Sequence, residues 1–460
     1  MKKITWLLPL VLTTMYVNAQ KKNDRKTIGN LQLHITYLSS DKLEGRRTGA
    51  PGEQLAAAYI STQMQQIGLS PKGDDGFVQT FIVKESREPA TACTMTINED
   101  HLLAGSQFIP LPFSAVKSAK GEVIPNVNEP DNIWLINAKE MDTDTHKSML
   151  EQYLQQTQVA AKSGATGVIF YNGKEAPAAV LQWLEQNPPA TSIPAVWVNN
   201  DVSKKLSADD ANGFQINMQV AFKPIKRTGT NVIGYIDNKA PKTIIIGAHY
   251  DHLGFGEDKN STAKVLYHGA DDNASGTAAL LEIARMLKAS HLHNNNFVII
   301  AFSGKQQGLY GSKYFASHST VDLTQVNYMI NLDHIGRLDQ AYGLQIGGIG
   351  TSPGWAAIIQ QAATKETHLV YDSSGVGPSD HTSFYRKNIP VLYFFTGIDS
   401  DSLQSDDSAD KINYEGTLSV VKLVYDIVDK TNEMNKLAFT STREPLNTGS
   451  TTLSGKMMNK

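Results

Sequence analysis

The sequence has little cysteine, no excess charge of either sign and no long apolar run beyond its start. Its 460 residues include one cysteine, Cys93, so no disulfide can form within the chain. Lys and Arg number 42 against 45 Asp and Glu, and no basic cluster stands out. Past the N-terminus, no stretch has the length and apolar character of a transmembrane helix. We therefore expect no binding to nucleic acid and no membrane span in the mature chain.

The N-terminus has the features of a secretion signal. Two lysines precede an apolar run from Ile4 to Val17, which ends in the small-residue cleavage pattern Val17-Asn18-Ala19. A membrane anchor is the alternative interpretation, but the run is too short to span a bilayer. We expect residues 1–19 to be a signal peptide and the mature protein to be periplasmic or extracellular.

Residue patterns divide the remaining chain into sections. The sections expected from these patterns are residues 20–95, 96–222 and 223–435. Apolar residues occur at helical spacing from about Leu31 to Leu69, short strand-like runs occur from about Met95 to Phe222, and from Asn231 onward apolar strands alternate with amphipathic helices. This alternation predicts an α/β fold, a mostly parallel mixed sheet flanked by helices, with ligands at the carboxyl ends of the strands. The expected elements are strands at Thr243–Ala248, Phe297–Phe302 and Val326–Leu332 and a helix at Ser275–Lys288. Residues 436–460 are rich in Ser, Thr, Asn and Lys and are expected to form a flexible tail.

The middle section resembles a protease-associated domain. The segment Ala161–Asn172, with Ile193-Pro194 after it, is similar to this small α/β domain, which is inserted in exported peptidases and related receptors. The resemblance implies that residues 96–222 are an insert. The larger domain would then consist of residues 20–95 and 223–435.

Polar residues follow the predicted strands at the edge where an open sheet binds ligands. They occur in His249-Tyr250-Asp251, in Asp271-Asp272-Asn273 and in Asn331-Leu332-Asp333. An imidazole and two carboxylates that converge in this way are a typical donor set for zinc. Asp251 could accept the other ring N–H of His249. Taken singly, each residue also has a structural interpretation, such as a helix N-cap for Asp272 or a hydrogen-bonded core histidine for His249.

Six segments occur in an order that points to a known family. They are Gly247–Gly254, Gly269–Gly276, Phe302–Ser312, Met329–Asp333, Ser379–Phe384 and Ala409–Tyr414. Together they resemble the di-zinc aminopeptidases of metallopeptidase family 28, which also includes glutamate carboxypeptidase and the glutaminyl cyclases. The resemblance covers most of the chain from Leu43 to Tyr414. It implies a zinc-exopeptidase fold, a phosphorylase/hydrolase-like sandwich, and metallo-exopeptidase chemistry.

The resemblance also implies one complete metal half-site and one degenerate half-site. In the family, one zinc is held by residues that match His249, Asp272 and Asp333. We expect Asp251, Asp271 and His381 to lie around these ligands. The second zinc shares the bridging aspartate and adds a glutamate and a histidine, which here are Gln306 and Leu403. Lys305 stands at the position of the general base and Ser402 at the position of a neighbouring tyrosine.

The four altered positions lead us to expect an impaired site. A lysine ammonium cannot take a proton from metal-bound water, and an amide is a poor zinc ligand. We expect one zinc ion or none, no intact catalytic residue, and little or no peptidase activity. The Lys305 ammonium is expected near Asp272, where it would replace part of the missing zinc charge; the alternative is that it points to solvent.

Several alternatives remain open at this stage. Substitute ligands could come from other residues in or beside the motifs: His252, His268, His334, His381, Asp399, Asp401, Asp406 and Asp407. The first functional hypothesis is an impaired family member that binds a peptide or protein N-terminus or another partner. The second is an active aminopeptidase with a single zinc, and the third is a surface interaction module that acts through the protease-associated domain. The sequence does not indicate the oligomeric state.

Overall fold

The chain forms two compact units. The computed structural model describes residues 7–123, 127–141, 147–184, 186, 188–207, 213–255, 265–364, 368–397 and 405–442. Unit 1 consists of the described residues of Met1–Val83 and Thr228–Lys460, and unit 2 is formed by those of Lys84–Arg227. Unit 2 is therefore inserted between two parts of unit 1. The insert expected at residues 96–222 lies within unit 2, and its assignment as a protease-associated domain stays a prediction.

Helices occur in both units. They are α1 (Leu7–Leu38), α2 (Pro51–Ile67), α3 (Met149–Lys162), α4 (Pro177–Trp183), α5 (Asn200–Leu206), α6 (Gly276–Lys288), α7 (Tyr310–Ser317), α8 (Trp355–Ala362), α9 (His381–Tyr385) and α10 (Tyr414–Asn432). Shorter helical turns cover Asp41–Arg46, Ala138–Glu140, Ala270–Ser275, Leu323–Gln325, Ile349–Thr351 and Ala409–Lys411. Among the described residues, none of the helices combines the length and apolar character needed to cross a membrane.

The strands are numbered in the same way. They are β1 (Ser70–Pro71), β2 (Val78–Pro89), β3 (Thr94–Ile97), β4 (Asp100–Leu102), β5 (Phe108–Pro110), β6 (Ser118–Val123), β7 (Ile133–Asn137), β8 (Gly167–Tyr171), β9 (Ala195–Val198), β10 (Phe214–Gln219), β11 (Phe222–Ile236), β12 (Thr243–His249), β13 (Asn296–Phe302), β14 (Val326–Leu332), β15 (Leu344–Gly347), β16 (Leu369–Tyr371) and β17 (Val391–Phe395).

The sheet of unit 1 has a parallel centre. Its strand order is β1-β11-β13-β12-β14-β17-β15-β16, with β2 also paired to β11. Strands β13, β12, β14 and β17 run parallel to one another, whereas β11 and β15 pair antiparallel with their neighbours β13 and β17. The predicted α/β fold with a mostly parallel mixed sheet is confirmed.

The central strands are apolar along their length because helices cover both faces of the sheet. Every residue of β12, β13 and β14 is buried, which is typical of parallel strands and explains their continuous apolar runs. On one face, Ile246 and Ile330 share a core with residues of α1, α2, α6, α8 and α10. On the other face, Ile245 and Met329 share a core with Phe315 of α7 and Phe384 of α9.

Unit 2 contains two four-stranded sheets. The order β4-β3-β10-β6 is antiparallel throughout. In the order β5-β9-β8-β7, strands β7, β8 and β9 are parallel and β5 is antiparallel to β9. Cys93 is buried in a core with Met95 and Val220, as expected of a packed side chain rather than a reactive thiol.

The start of the expected flexible tail is packed against unit 1. Leu437 is buried, and its backbone N–H donates to Asn327 Oδ1 at 2.8 Å. Further along, the N–H of Thr440 donates to the Thr351 carbonyl at 2.8 Å. The expected boundary of the tail at residue 436 therefore lies several residues too early. The reason is that Leu437, although it lies in a polar segment, is apolar and packs against the core of unit 1.

The centre of the sheet provides a test of the fold. Ile246 is fully buried on β12, and its neighbours across the two strand pairs are Ile299 and Ile330. We expect Ile246→Ala to lower the free energy of unfolding by about 2–5 kcal/mol, because it removes buried methylenes and leaves a cavity. Urea denaturation measures the loss. Leu55→Ala, at a position 43% exposed on α2, is the control and should cost much less. Equal losses in the two variants would contradict the central position of β12.

Candidate metal centre

Three predicted ligands converge at the carboxyl edge of the parallel strands. His249 is the last residue of β12, Asp333 follows β14, and Asp272 lies in the turn Ala270–Ser275 that leads into α6. Since β12 and β14 are parallel neighbours, their carboxyl ends meet at one edge of the sheet. All three side chains are buried. The fold thus brings together residues that are far apart in the sequence.

The geometry of these side chains fits one divalent ion. His249 Nε2 lies 2.9 Å from Asp333 Oδ1 and 3.4 Å from Asp272 Oδ1. One ligand atom from each residue can be chosen so that all lie within 4.8 Å of one another. Tetrahedral zinc ligands at about 2.0–2.2 Å from the metal are separated by roughly 3.3 Å, which is close to these distances. Asp272 Oδ1 is buried and has no hydrogen-bond partner among the described residues, as a metal-ligating oxygen would.

The charges in this cluster stabilise one another. Burial would raise the pKa of Asp272 and of Asp333, but the Lys305 ammonium and nearby histidines hold both pKa values well below the usual range. Burial and Lys305 act to lower the pKa of His249, but Asp333 and Asp251 outweigh them and raise it to about 10. The two carboxylates are therefore ionised and ready to bind a cation.

Asp251 links His249 to the loop after β13. His249 Nδ1 lies 3.2 Å from the carbonyl oxygen of Asp251 and 3.6 Å from its carboxylate. The ring nitrogen therefore meets the backbone carbonyl of Asp251, and the expected hydrogen bond to its carboxylate is not formed, since 3.6 Å is too long. The same carboxylate accepts the backbone N–H groups of Lys305 at 3.1 Å and of Gln306 at 3.3 Å, and the Thr48 hydroxyl at 3.0 Å. Asp251 consequently fixes the position of the loop relative to the metal ligands.

Lys305 points into the cluster rather than toward solvent. Its Nζ lies 3.3 Å from Asp333 Oδ2 and 3.8 Å from Asp272 Oδ1, and the side chain is 12% exposed. Burial alone would lower the pKa of Lys305, but Asp272 and Asp333 raise it, so the amine is an ammonium. The expectation that this ammonium lies near Asp272 is confirmed, and the solvent-facing alternative is wrong. The stronger contact, with Asp333, was not foreseen.

Gln306, at one of the altered positions, binds Asp272. Gln306 Nε2 donates to Asp272 Oδ2 at 2.7 Å, so an amide binds the oxygen that a bridging aspartate would offer to a second metal. Ser402 and Leu403, the other altered positions, lie outside the described residues, as do Asp399 and Asp401. Within the described part of the chain, the second half-site therefore has no glutamate ligand and no base at the Lys305 position.

The alternative ligands occupy different environments. His252 Nδ1 and His334 Nε2 lie 3.3 Å and 3.6 Å from Asp272 Oδ2. Burial lowers the pKa of His252. Burial also acts to lower the pKa of His334, but Asp272 and Asp333 outweigh it and raise that pKa. Three further candidates, His268, Asp406 and His381, contact other groups. His268 pairs with Asp41 at 2.8 Å, Asp406 pairs with Lys411 at 2.9 Å, and the His381 ring stacks on Tyr393 with 4.5 Å between centroids.

Asp407 holds the turn that carries Asp272. Its buried carboxylate accepts the backbone N–H groups of Asp271 at 2.9 Å and Asp272 at 3.1 Å, and Arg337 donates to it at 2.9 Å. Asp271 in turn accepts the N–H of Gly336 at 2.7 Å, and burial raises its pKa to about 7. Sequence reasoning treated Asp407 as a possible metal ligand, but in the structure it positions one.

Sequence reasoning missed Arg46 and Asp380. The buried guanidinium of Arg46 donates to the carbonyls of Tyr250 at 2.7 Å and Gly269 at 2.8 Å, and thereby joins the loops that carry His249 and Asp272. Burial lowers its pKa to about 10. Burial also raises the pKa of Asp380 to about 6 and lowers that of the adjacent His381 to about 3. The turn containing Arg46 was recognised, but its partners lie more than 200 residues away, and no local pattern identifies them.

Comparison with known proteins agrees with this arrangement. Residues 231–428 match the sequence profile of peptidase family M28. Aminopeptidase YwaD of Bacillus subtilis is 28% identical over 369 residues, which cover 78% of this chain and 73% of that protein. A probable leucine aminopeptidase of Arthroderma otae is 28% identical over 211 residues, which cover 43% of this chain and 54% of the relative.

The part of the chain that matches the profile contains His249, Asp272 and Asp333. This part belongs to peptidase family M28. Its fold is also similar to that of a zinc aminopeptidase from Bacillus subtilis, BSAP, with a TM-score of 0.51 at 22% identity over 89% of this chain and 98% of that one. The resemblance noted in the sequence is confirmed at the level of the M28 family and its fold. Metal binding by this chain is supported by the His/Asp/Asp group and remains to be measured.

Asp407 offers a test of how the M28 site is held. We expect Asp407→Ala to lower the free energy of unfolding by about 3–5 kcal/mol, because it removes the carboxylate that accepts two buried N–H groups and pairs with Arg337. Urea denaturation measures the change. The neighbouring Asp406→Ala is the matched control: Asp406 is 62% exposed and forms a surface pair with Lys411, so its loss should cost less than about 1 kcal/mol. A loss of that small size in Asp407→Ala would show that the turn holds Asp272 without it.

Proposed function

We propose that this protein is an exported M28 aminopeptidase-like protein that binds peptide or protein N-termini and hydrolyses them slowly or not at all. Its site retains one half of a di-metal centre. The other half lacks the acidic residues that activate water and hold the second ion. Export rests on the N-terminal signal pattern, and the function of the insert as a protease-associated domain belongs to the same proposal.

The observation that carries the proposal is the ammonium of Lys305, 3.3 Å from Asp333 Oδ2. At this position M28 aminopeptidases, as the sequence resemblance implies, carry a glutamate that removes a proton from water. A lysine held as an ammonium by two carboxylates has no lone pair with which to accept that proton. The expected rate loss for an absent general base is about 10²- to 10⁴-fold.

Gln306 supports the same conclusion independently. Its side-chain amide donates to Asp272 Oδ2 at 2.7 Å, so a neutral group meets the oxygen that a second ion would need. Loss of the second metal would also remove a positive charge that stabilises the oxyanion of the tetrahedral intermediate. Two separate elements of the catalytic apparatus are thus replaced by residues that cannot supply the same chemistry.

A peptide N-terminus is the ligand that suits the charges left in the site. Asp251, Asp272 and Asp333 are buried there, and a basic group can pair with these carboxylates, as Lys305 does. A peptide ammonium therefore suits the site better than an anion. The relatives named as aminopeptidases act on the same end of a peptide.

Binding and hydrolysis can be separated in one set of measurements. We expect the wild-type protein to bind short peptides with a free N-terminus by calorimetry and to bind their N-acetylated counterparts much more weakly, because acetylation removes the positive charge. In parallel, release of p-nitroaniline from leucyl and alanyl anilides should stay near the background rate. Chelator-sensitive turnover of about 1 s⁻¹ or more would overturn the proposal and favour an active single-zinc aminopeptidase.

Restoring the altered positions tests whether the remaining scaffold is intact. We expect the combined variant Lys305→Glu, Gln306→Glu, Ser402→Tyr and Leu403→His to bind two zinc ions and to hydrolyse aminoacyl anilides. Single changes should do far less, because groups that act as a unit are strongly non-additive. Zinc per chain is measured by elemental analysis and hydrolysis by absorbance.

The control for the restored variant adds His249→Ala, which removes a ligand of the retained half-site. Activity that belongs to the restored centre should disappear in this five-fold variant, whereas activity from a contaminating peptidase should persist. A restored variant that folds, binds two zinc ions and cleaves none of a broad panel would mean that the substrate pocket has changed as well.

A further inference from the structure

We propose that the Lys305 ammonium serves as a built-in counter-ion for Asp272 and Asp333 and competes with a divalent ion for the retained half-site. The site would then be stable without metal, and zinc would bind weakly until Lys305 is removed. This inference deepens the proposed function, on which it rests for the view that the centre is no longer hydrolytic. It concerns the occupant of the site rather than the reaction.

The ammonium approaches the same two carboxylates that an ion would need, and one oxygen, Asp272 Oδ1, is common to both. Lys305 Nζ contacts Asp333 Oδ2 at 3.3 Å and lies 3.8 Å from Asp272 Oδ1. Asp272 Oδ1 is also the oxygen that lies 3.4 Å from His249 Nε2, within the donor set for a metal. An ion bound between His249 and the two carboxylates would therefore share Asp272 Oδ1 with the ammonium.

The loop holds Lys305 in this position by its backbone. The N–H groups of Lys305 and Gln306 donate to the two oxygens of Asp251, and the N–H of Gly304 donates to Thr48 Oγ1 at 3.1 Å. The carbonyl of Lys305 accepts the N–H of Gly308 at 3.0 Å and closes the turn. The main chain is fixed on both sides of Lys305, and the side chain is 12% exposed. The side chain can therefore leave the site only by losing its contacts with Asp272 and Asp333.

Charge balance disfavours the binding of a divalent ion while the Lys305 ammonium is in the site. Asp272 and Asp333 together carry two negative charges, and both side chains are almost fully shielded from water. Lys305 and His249 lie against these carboxylates, and even beside a neutral His249 a divalent ion together with Lys305 would bring three positive charges to two negative ones. Repulsion between cations a few ångströms apart is strong where water cannot screen it. Asp251 and Asp380 reduce this repulsion, but they attract the Lys305 ammonium as well.

Zinc affinity measures the competition directly. The protein is treated with chelator, dialysed, and titrated with zinc chloride by calorimetry. Lys305→Met removes the ammonium and keeps an apolar stem of similar length, and Lys313→Met is the control, since Lys313 only donates to the Gly308 carbonyl on the surface. We expect the wild type and Lys313→Met to bind zinc with dissociation constants weaker than about 1 µM, and Lys305→Met to bind one ion at least about 100-fold more tightly.

Thermal melting gives a second readout that does not depend on activity. Without zinc, Lys305→Met should melt at least about 5 °C below the wild type, because two buried carboxylates have lost their counter-ion. Zinc should restore its melting temperature and leave that of the wild type nearly unchanged. If Lys305→Met does not fold, Lys305→Gln, which is neutral and polar, replaces it in both measurements.

Two results would overturn the inference. One is a wild-type dissociation constant for zinc well below 1 µM, because the site would then hold zinc in spite of the ammonium. The other is a variant that folds and binds zinc within tenfold of the wild type. A wild type that binds zinc tightly and hydrolyses nothing would defeat this inference alone, whereas hydrolysis of anilides by a weakly zinc-binding wild type would defeat only the proposed function.

Discussion

Several carboxylates are buried at one edge of the sheet, and the surrounding structure compensates their charge. An ionised carboxylate without a partner is very unfavourable in a protein interior. Asp272 and Asp333 are matched by Lys305 and His249, and Asp407 is matched by Arg337 and backbone N–H groups. The strands and turns that carry these residues must keep their relative positions, because displacing any of them would leave a charge unpaired.

The same requirement explains why the loops of this edge are tied to one another by their backbones. Arg46 joins the loop after β12 to the turn before α6 by donating to carbonyl oxygens of both. Asp407, which lies C-terminal to that turn, accepts two of its backbone N–H groups. Asp251 connects the loop after β13 to the end of β12. Buried polar networks of this kind favour one arrangement when every member is satisfied. The metal ligands are consequently held in place by residues that need not contact a metal themselves.

The match of residues 231–428 to family M28 accounts for the framework of the site and leaves its chemistry to a few side chains. Position 305, on the loop after β13, lies beside Asp272 and Asp333 regardless of which residue occupies it. A glutamate there adds a negative charge and a proton acceptor, whereas lysine adds a positive charge and no acceptor. Exchanging one side chain thus changes whether the carboxylates attract a metal or are already neutralised. Function has to be argued from the site, since the fold accommodates either arrangement.

Sequence patterns alone determined the α/β fold and the order of its elements. The apolar runs of β12, β13 and β14 identified buried parallel strands because helices cover both faces. The resemblance to a family then singled out His249, Asp272 and Asp333, which the structure brings together. The replacement at Lys305 was also visible, since it interrupts a recognisable motif. Each of these features depends on residues that are close together in the sequence, so a short sequence pattern is enough to reveal it.

Only the tertiary structure decided what Lys305, Asp407 and Arg46 do. The direction of the Lys305 side chain depends on one carboxylate in the turn before α6 and another after β14. The role of Asp407 depends on backbone N–H groups about 135 residues away. Arg46 meets carbonyl groups, which every residue carries and which therefore leave no trace in the sequence. The physical reason is common to all three: burial makes the nearest opposite charge or free hydrogen-bonding group decisive, and which group is nearest is known only once the chain has folded.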